Sequence, residues 1–418
     1  MKNHPGLRTI LFIWLGWILV LFLYQSWITR RIDLTAPDHV LMWTGTETAD
    51  SYLATKLYLN DPYLNEHVAW DSEYYLAIAM SGYDDPLIQA IPGNFNWMTN
   101  KTFCTAGQDT DCYSLSYAFF PLYPFLMRIT ALLFTFLPLT AIARFTLAGV
   151  VISLLGTLAA MLALYHLVRS SLGDDDGIRS AFYLVIFPGS FFLAQVYTEG
   201  LFVGLTFGAL ACLLDRKWYL AGSLAALAVW TRPGGALLFL PMALLWVLDR
   251  VWNKGWKVTI PSGAAVLAPL FSYGIWSLTP LADKFHLVEE RYFGRGLLDI
   301  RSSLQVWSTA LQSFTQSNLQ TKFYYAIEIA AIVLALASCI YLIKKHPEIS
   351  LYGLGMIFFA LTSGSAQGMI RYMVVLPSLF WMLARWGRQP VFDRIWTLLS
   401  CLLMGLLALL FSFNYWVG

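Results

Sequence analysis

The chain has 418 residues, of which 58% are apolar and 12% charged, against about 25% charged in an average soluble domain. Mean hydropathy is +0.60 and formal net charge is +2. That leaves no basic excess for nucleic acid, and too much apolar surface for a water-soluble enzyme, a disordered chain or a disulfide-stapled secreted domain. The apolar runs do not alternate every second residue, which argues against a membrane β-barrel. The expected class is an all-α polytopic membrane protein, a single integral domain over residues 1–418.

In chain order, an apolar run from about Leu7 to Ser26 follows Lys2 and Arg8. It is longer than a signal-peptide h-region and no small-residue cleavage site follows, so it reads as an uncleaved first span with a cytoplasmic N-terminus. Residues 29–142 form a long first external loop, rich in carboxylates such as Asp33, Asp38, Asp50, Asp61, Asp84, Asp85, Asp109 and Asp111. Within it Cys104 and Cys112 could close a short disulfide in an oxidising compartment, whereas Cys212, Cys339 and Cys401 sit in apolar runs and read as packing residues.

The segment Phe119 to Leu137 looks like a span. The basic clusters Arg169/Arg179, Arg216/Lys217, Arg250/Lys254/Lys257, Lys344/Lys345 and Arg385/Arg388/Arg394 all fall inside only if that segment makes no net crossing. Pro121, Pro124 and Arg128 near its start suit a helix that dips into the outer leaflet or lies along it. About eleven spans are then expected, near 8–28, 143–168, 180–197, 199–214, 218–232, 234–250, 258–279, 322–343, 350–365, 369–386 and 393–414. A second external loop covers 280–321, and the C-terminus falls outside.

Four groups of residues at external positions carry chemistry. Trp70-Asp71-Ser72-Glu73-Tyr74-Tyr75 joins two carboxylates to aromatic rings. On a helix Asp71 shares a face with Tyr74 and Tyr75, at three and four residues' spacing, while Glu73 faces away. A carboxylate there could deprotonate an alcohol, and the rings could stack on a sugar or prenyl chain. The alternative is an interfacial helix capped by Asp71. Glu199 stands between two apolar runs, either as a partner of Asp71 or as a water-facing helix cap with Thr198. Arg232 and Arg371 lie at external span ends, where snorkelling is less favoured than on the cytoplasmic side, and two arginines facing carboxylates suit a phosphate group. Arg291 and Arg295, after His286, Glu289 and Glu290, either add to that site or form a solvated charge run. The sequence has no Walker A motif, no HExxH or His/Cys ligand cluster and no Gly-x-Ser-x-Gly nucleophile.

The blocks Trp70-Asp71…Ile78-Ala79…Gly82-Tyr83, Phe119-Phe-Pro-Leu-Tyr123-Pro124, Phe187-Pro188…Tyr197-Thr-Glu199-Gly200-Leu-Phe, Thr231-Arg232-Pro-Gly-Gly and Arg371-Tyr372…Pro377 run in order over most of the chain. Together they resemble the PIG-V family, the GPI mannosyltransferase II type and its prokaryotic relatives. Gly200 departs from the family's usual Ser or Ala, and the 280–321 loop is similar only around Glu289 to Arg295. The resemblance implies a GT-C type fold with about eleven transmembrane helices and juxtamembrane helices in the first external loop. It implies inverting transfer of a hexose, mannose by the family, from a polyprenyl-phosphate carrier to a hydroxyl of a glycan, glycolipid or glycoprotein acceptor. The reaction would occur at the non-cytoplasmic face of the cell membrane, or of the ER membrane in a eukaryote.

By that resemblance Asp71 is the candidate base, with Glu199 orienting it, the acceptor or the sugar. Trp70, Glu73, Tyr74, Tyr75, Tyr123, Tyr197, Arg232, Arg291, Arg295, Arg371 and Tyr372 are candidate substrate contacts. No cofactor and no divalent metal are expected. The competing readings are a lipid-linked sugar flippase or transporter, whose marks would be deep ionisable residues and inverted repeats, and a structural scaffold, which would need no acid facing external arginines.

Overall fold

The structure, a computed structural model, describes residues 5–32, 34, 56–107, 111–252, 256–296, 298–316 and 319–417. Lys2, Lys254, Asp33, Asp38, Asp50 and Asp109 of the expectations above lie outside the described residues.

Helix α1 (Pro5–Arg31) is apolar along its length and ends on Arg30 and Arg31, cations that suit the negative end of the helix dipole. The segment after α1 folds into α2 (Ser72–Met80), then strands β1 (Gln89–Pro92), β2 (Cys104–Thr105) and β3 (Cys112–Ser114). The strands form an antiparallel sheet in the order β2-β1-β3. Ala90 faces Cys104 and Pro92 faces Cys112 across it, and a Cys104–Cys112 disulfide ties the outer strands. Helix α3 (Leu122–Leu132) has 11 residues. At 1.5 Å per residue it is about 16 Å long, half of a bilayer's hydrocarbon core. The segment that mimics a span in sequence is therefore too short to cross alone.

The rest of the chain is helical: α4 (Ala141–Leu172), α5 (Asp174–Ile186), α6 (Glu199–Leu214), α7 (Trp218–Thr231), α8 (Phe239–Trp252) and α9 (Trp256–Ser277). Then follow α10 (Pro280–Arg291), α11 (Ile300–Gln316), α12 (Leu319–Leu342), α13 (Pro347–Leu361), α14 (Met369–Met373), α15 (Pro377–Trp386) and α16 (Pro390–Ser412). Each of the eleven expected spans overlaps helix, but 180–197 and 369–386 are broken within and 350–365 runs past the helix that ends at Leu361. Among the described residues only α1, α4, α12 and α16 are long and apolar enough to cross unaided, and the number rises to 6 if two bent pairs count as spans. In one pair α5 turns by 82° into the short 3-10 turn Pro188–Ala194. Proline lacks the N–H that would continue the helix, and the glycine after it adds freedom. In the other, Ser262–Ser277 turns by 83° into α10 at Pro280. Asp283, Lys284, Glu289, Glu290 and Arg291 make α10 a polar helix. The 369–386 segment is likewise split before Pro377 into α14 and α15.

Helix α4 packs closely on α6 along glycines. A Cβ on Gly200 would overlap the Ser153 carbonyl, and one on Gly204 would sit 2.5 Å from the Gly156 carbonyl. Backbones this close are how small residues join helices in lipid, where packing replaces the hydrophobic drive. Glycine at position 200 thus has a steric reason in this chain. Gly200→Ala is expected to force α6 away from α4, costing about 1–3 kcal/mol as overpacking does, and to lower activity by moving Glu199. A detergent-solubilised variant with unchanged thermal midpoint and turnover would show that the seam yields at no cost.

Candidate active site

The site is assembled from four chain breaks that meet at one end of the helical body: the start of α2, the start of α6, the α7 end and α14. Trp70, just before α2, has a left-handed backbone with φ 49°, an uncommon state for a bulky residue. The Tyr197 hydroxyl pins both of its neighbours, donating to the Ala69 carbonyl at 3.1 Å and accepting from the Asp71 N–H at 3.2 Å. Trp70 packs edge-on against Trp416 at 4.9 Å. At the other end of α2, Gly82 adopts φ 100° and its N–H caps the Ala77 and Ile78 carbonyls, which is why glycine ends this helix. Arg128 of α3 donates to the Ala79 carbonyl at 2.8 Å and to that of Ile78 at 3.3 Å. The juxtamembrane helix thereby holds α2 in place.

Asp71 occupies the N-cap position of α2, but its side chain caps nothing. Its Oδ2 instead accepts from Arg371 Nη1 at 3.0 Å. The arginine's Nε lies 3.1 Å from Glu199 Oε1. Glu199 Oε1 also accepts from Arg232 Nη2, and Arg232 Nε donates to Thr198 Oγ1 at 2.7 Å. The result is a row of alternating charges, Asp71–Arg371–Glu199–Arg232, with no net charge. Glu199 is fully buried and Arg371 is 5% exposed, so Glu199 is neither a water-facing cap nor Arg371 a snorkelling cation. Arg371 also lies 5.5 Å from the ring centres of Phe192 and Tyr197, a favourable cation–π setting.

Asp71, Arg371 and Arg232 of the row line a cavity of about 1550 Å³. Trp70, Asp71, Tyr74, Tyr75, Arg232, Arg295, Arg371 and Tyr372 line it. Other expected contacts lie elsewhere. Glu199 sits beneath the wall, and Tyr197 is spent on the Asp71 backbone. Tyr123 is buried, its hydroxyl against the Gly149 carbonyl and Ser153, each at 3.0 Å. Glu73 faces away from the cavity and pairs with Lys56 at 2.9 Å. Arg291 is exposed at the end of α10, outside the lining. Arg295 reaches the cavity with no carboxylate in ion-pair contact among the described residues. Glu289 also lines it, and burial pushes its carboxyl up to about 7, against the pull of Arg295.

Several residues at the site went unnoticed in sequence. Lys56, Gln89, Trp97, Phe119 and Trp416 line the cavity but sit in segments without a motif reading of their own or were read only as block residues. Glu328 gave a signal that could have been read, because an ionisable residue inside an apolar span is a functional flag. Buried in α12, it accepts the N–H of Gly368 at 2.8 Å and of Ile370 at 2.7 Å. It fastens the turn that carries Arg371. Among the described residues, no group of three or more His, Cys, Asp or Glu side chains could hold a metal ion.

Residues 89–237 match the family model described as Mannosyltransferase (PIG-V). GPI alpha-1,6-mannosyltransferase 2 of Mus musculus is 30% identical over 161 residues, a match covering 38% of this chain and 33% of the mouse protein. The match thus spans about a third of that relative's length. Among solved structures, ArnT from Cupriavidus metallidurans bound to undecaprenyl phosphate aligns over 85% of this chain and 63% of its own, with 12% identity and a TM-score of 0.44. The oligosaccharyltransferase AglB from Archaeoglobus fulgidus, in complex with an inhibitory peptide and a dolichol-phosphate, aligns over 97% of this chain and 56% of its own, with 13% identity and a TM-score of 0.41.

Proposed function

We propose that this chain, which carries a PIG-V mannosyltransferase segment over residues 89–237, is an inverting membrane glycosyltransferase of the GT-C type. The donor is a polyprenyl-phosphate hexose, with mannose the sugar favoured by the family match. The acceptor is a hydroxyl of a glycan, glycolipid or glycoprotein, and the reaction runs at the non-cytoplasmic membrane face.

One observation carries the reading. Asp71 stands in the cavity wall with one oxygen held by Arg371, and its other oxygen has no protein hydrogen bond among the described residues. That is the geometry of a general base: one oxygen fixes orientation and the other takes the proton. As the acceptor oxygen attacks C1 of the sugar, its proton passes to Asp71. The bond from C1 to the phosphate oxygen breaks, and polyprenyl phosphate leaves with the electron pair. The leaving group needs no proton, so one base suffices.

The charged row is neutral, so it does not by itself attract a phosphate. Arg295 supplies the extra positive charge, and Arg232, whose side chain is 15% exposed, offers a second edge. Cations placed where negative charge develops favour departure of the phosphate. Phe202, Met356 and Phe359 on the same wall give a prenyl chain an apolar path.

We also propose that no divalent metal takes part, because Asp71 Oδ2 and Glu199 Oε1 already face guanidinium groups, whose positive charge opposes a cation between the two carboxylates. Purified protein given labelled polyprenyl-phosphate mannose should release polyprenyl phosphate, and should do so equally in EDTA. Sealed vesicles should act on donor supplied from the non-cytoplasmic side. No release under any condition would refute the transferase reading and leave a flippase. Release lost in EDTA and restored by metal would refute metal independence. Activity only from the cytoplasmic side would overturn the assigned face.

A further inference from the structure

The cavity is larger than one sugar phosphate requires. At about 1550 Å³ it exceeds the roughly 300–1,000 Å³ of a pocket for one small ligand. Among its aromatic side chains two close pairs stand out. The inner one is Tyr74 stacked on Phe119, ring centres 4.7 Å apart, beside Asp71. The outer one is Trp97 and Tyr292, ring centres 5.1 Å apart, in the part of the chain outside the spans. The Trp97 indole N–H donates to the Tyr292 carbonyl at 2.8 Å, which fixes the ring, while 46% of the residue stays exposed. The Tyr292 hydroxyl approaches Gln89 Oε1 at 3.5 Å. Glu289, one helical turn before Tyr292, brings its carboxylate to the same cavity with no ion-pair partner among the described residues.

We infer that Trp97, Tyr292, Gln89 and Glu289 form a subsite for the saccharide part of the acceptor, a reading that rests on the glycosyl-transfer function above. A flat ring held in place with one side open, next to an amide and a carboxylate, matches a pyranose. The sugar has an apolar C–H face for the ring and hydroxyls for the polar groups. Aromatic side chains of this kind present an apolar body with a polar handle.

A peptide that added as a strand would use the free outer edge of β2 or β3, not β1. Gln89 opens β1, which is the central strand and is paired on both sides. A lipid without a sugar would not need the polar groups of Gln89 and Glu289. The inner aromatic pair then serves the donor sugar, and the reacting hydroxyl lies between the two groups, next to Asp71.

The test is saturation-transfer NMR on the detergent-purified full chain. The probes are α-linked mannobiose, a glucosamine-containing disaccharide and a blocked hexapeptide of Ser, Thr and Gly. At least one disaccharide should receive magnetisation from aromatic protons, and Trp97→Ala should weaken its binding about 3- to 10-fold. Trp97→Phe should restore part of that loss. Binding of undecaprenyl phosphate should be the same in all three proteins, which shows that the variants are folded.

Transfer to neither disaccharide in the wild type would overturn the subsite. So would disaccharide binding indifferent to Trp97→Ala, or binding of the hexapeptide alone. Failure of the transferase reading shows separately, as absence of donor turnover in the wild-type protein.

Discussion

Asp71→Asn is expected to lower turnover by about 10²–10⁴-fold, the usual share of general-base catalysis, with donor affinity kept. The amide has nearly the shape of the carboxylate, and its oxygen can still accept from Arg371, which now lies 3.0 Å away. What it loses is the basic oxygen facing the cavity. Asp71→Glu keeps the base but moves it by about one methylene, and the Tyr197 pin on the Asp71 backbone leaves little room to compensate.

Glu73→Gln gives the contrast. Glu73 is 5% exposed and paired with Lys56, so that variant should lose stability, while the folded fraction keeps its turnover. The checks are single-turnover release of polyprenyl phosphate and donor binding, each per folded molecule. Normal turnover in Asp71→Asn would move the base elsewhere, and Glu289, Glu290 and Asp299, which also line the cavity, are then the carboxylates to test.

The sequence made the class and much of the site legible for physical reasons. Long apolar runs have one outcome, and the ionisable residues that interrupt them at span ends stand out because they are costly in lipid. That is how Glu199, Arg232 and Arg371 were visible, while Asp71 stood out by its cluster of carboxylates and aromatic rings, and the structure draws the four into one row. What spacing could not give was their pairing. The two arginines read as free for a phosphate, yet in the structure each first neutralises a carboxylate. Contacts between residues 300 positions apart follow from tertiary packing, not from local pattern.

Tyr123, Tyr197 and Glu73 share motif blocks with cavity residues, but their neighbours turn them to structural hydrogen bonds or ion pairs. Their blocks mark the site region without making every member a contact. Helix existence was legible along the apolar runs but not in 280–321, expected as a loop, where α10 and α11 form; continuity was not legible either. Proline and glycine marked the breaks after Phe187 and before Pro377 only once the sharp turns were seen. Lys56, Gln89 and Trp97 come from the external loop, where no periodicity places a side chain.

Arg371→Ala should have the largest effect on the molecule as a whole, because this guanidinium joins both carboxylates. Its removal leaves Glu199, fully buried, with Arg232 alone, and leaves Asp71 without the partner that aims it. Breaking a buried ion pair by deleting one member costs about 3–5 kcal/mol, much of it the penalty of the charge left behind. The row also changes from neutral to a net charge of −1, which opposes an anionic donor. Thermal stability in detergent, donor affinity and turnover should therefore all fall.

Arg371→Lys should recover only part, since a point charge cannot hold two carboxylates with the geometry of a planar fork. Arg371→Ala combined with Glu199→Gln separates the causes. It returns the row to zero net charge, with Asp71 and Arg232 balancing, so stability should return toward the wild type by more than the two single changes would predict if added. Turnover should stay low, because Asp71 is still unheld. If Arg371→Ala alone proves as stable and active as the wild type, the alternating row does not organise this site. If the double variant regains turnover as well as stability, Arg371 serves to neutralise Glu199 and not to position Asp71.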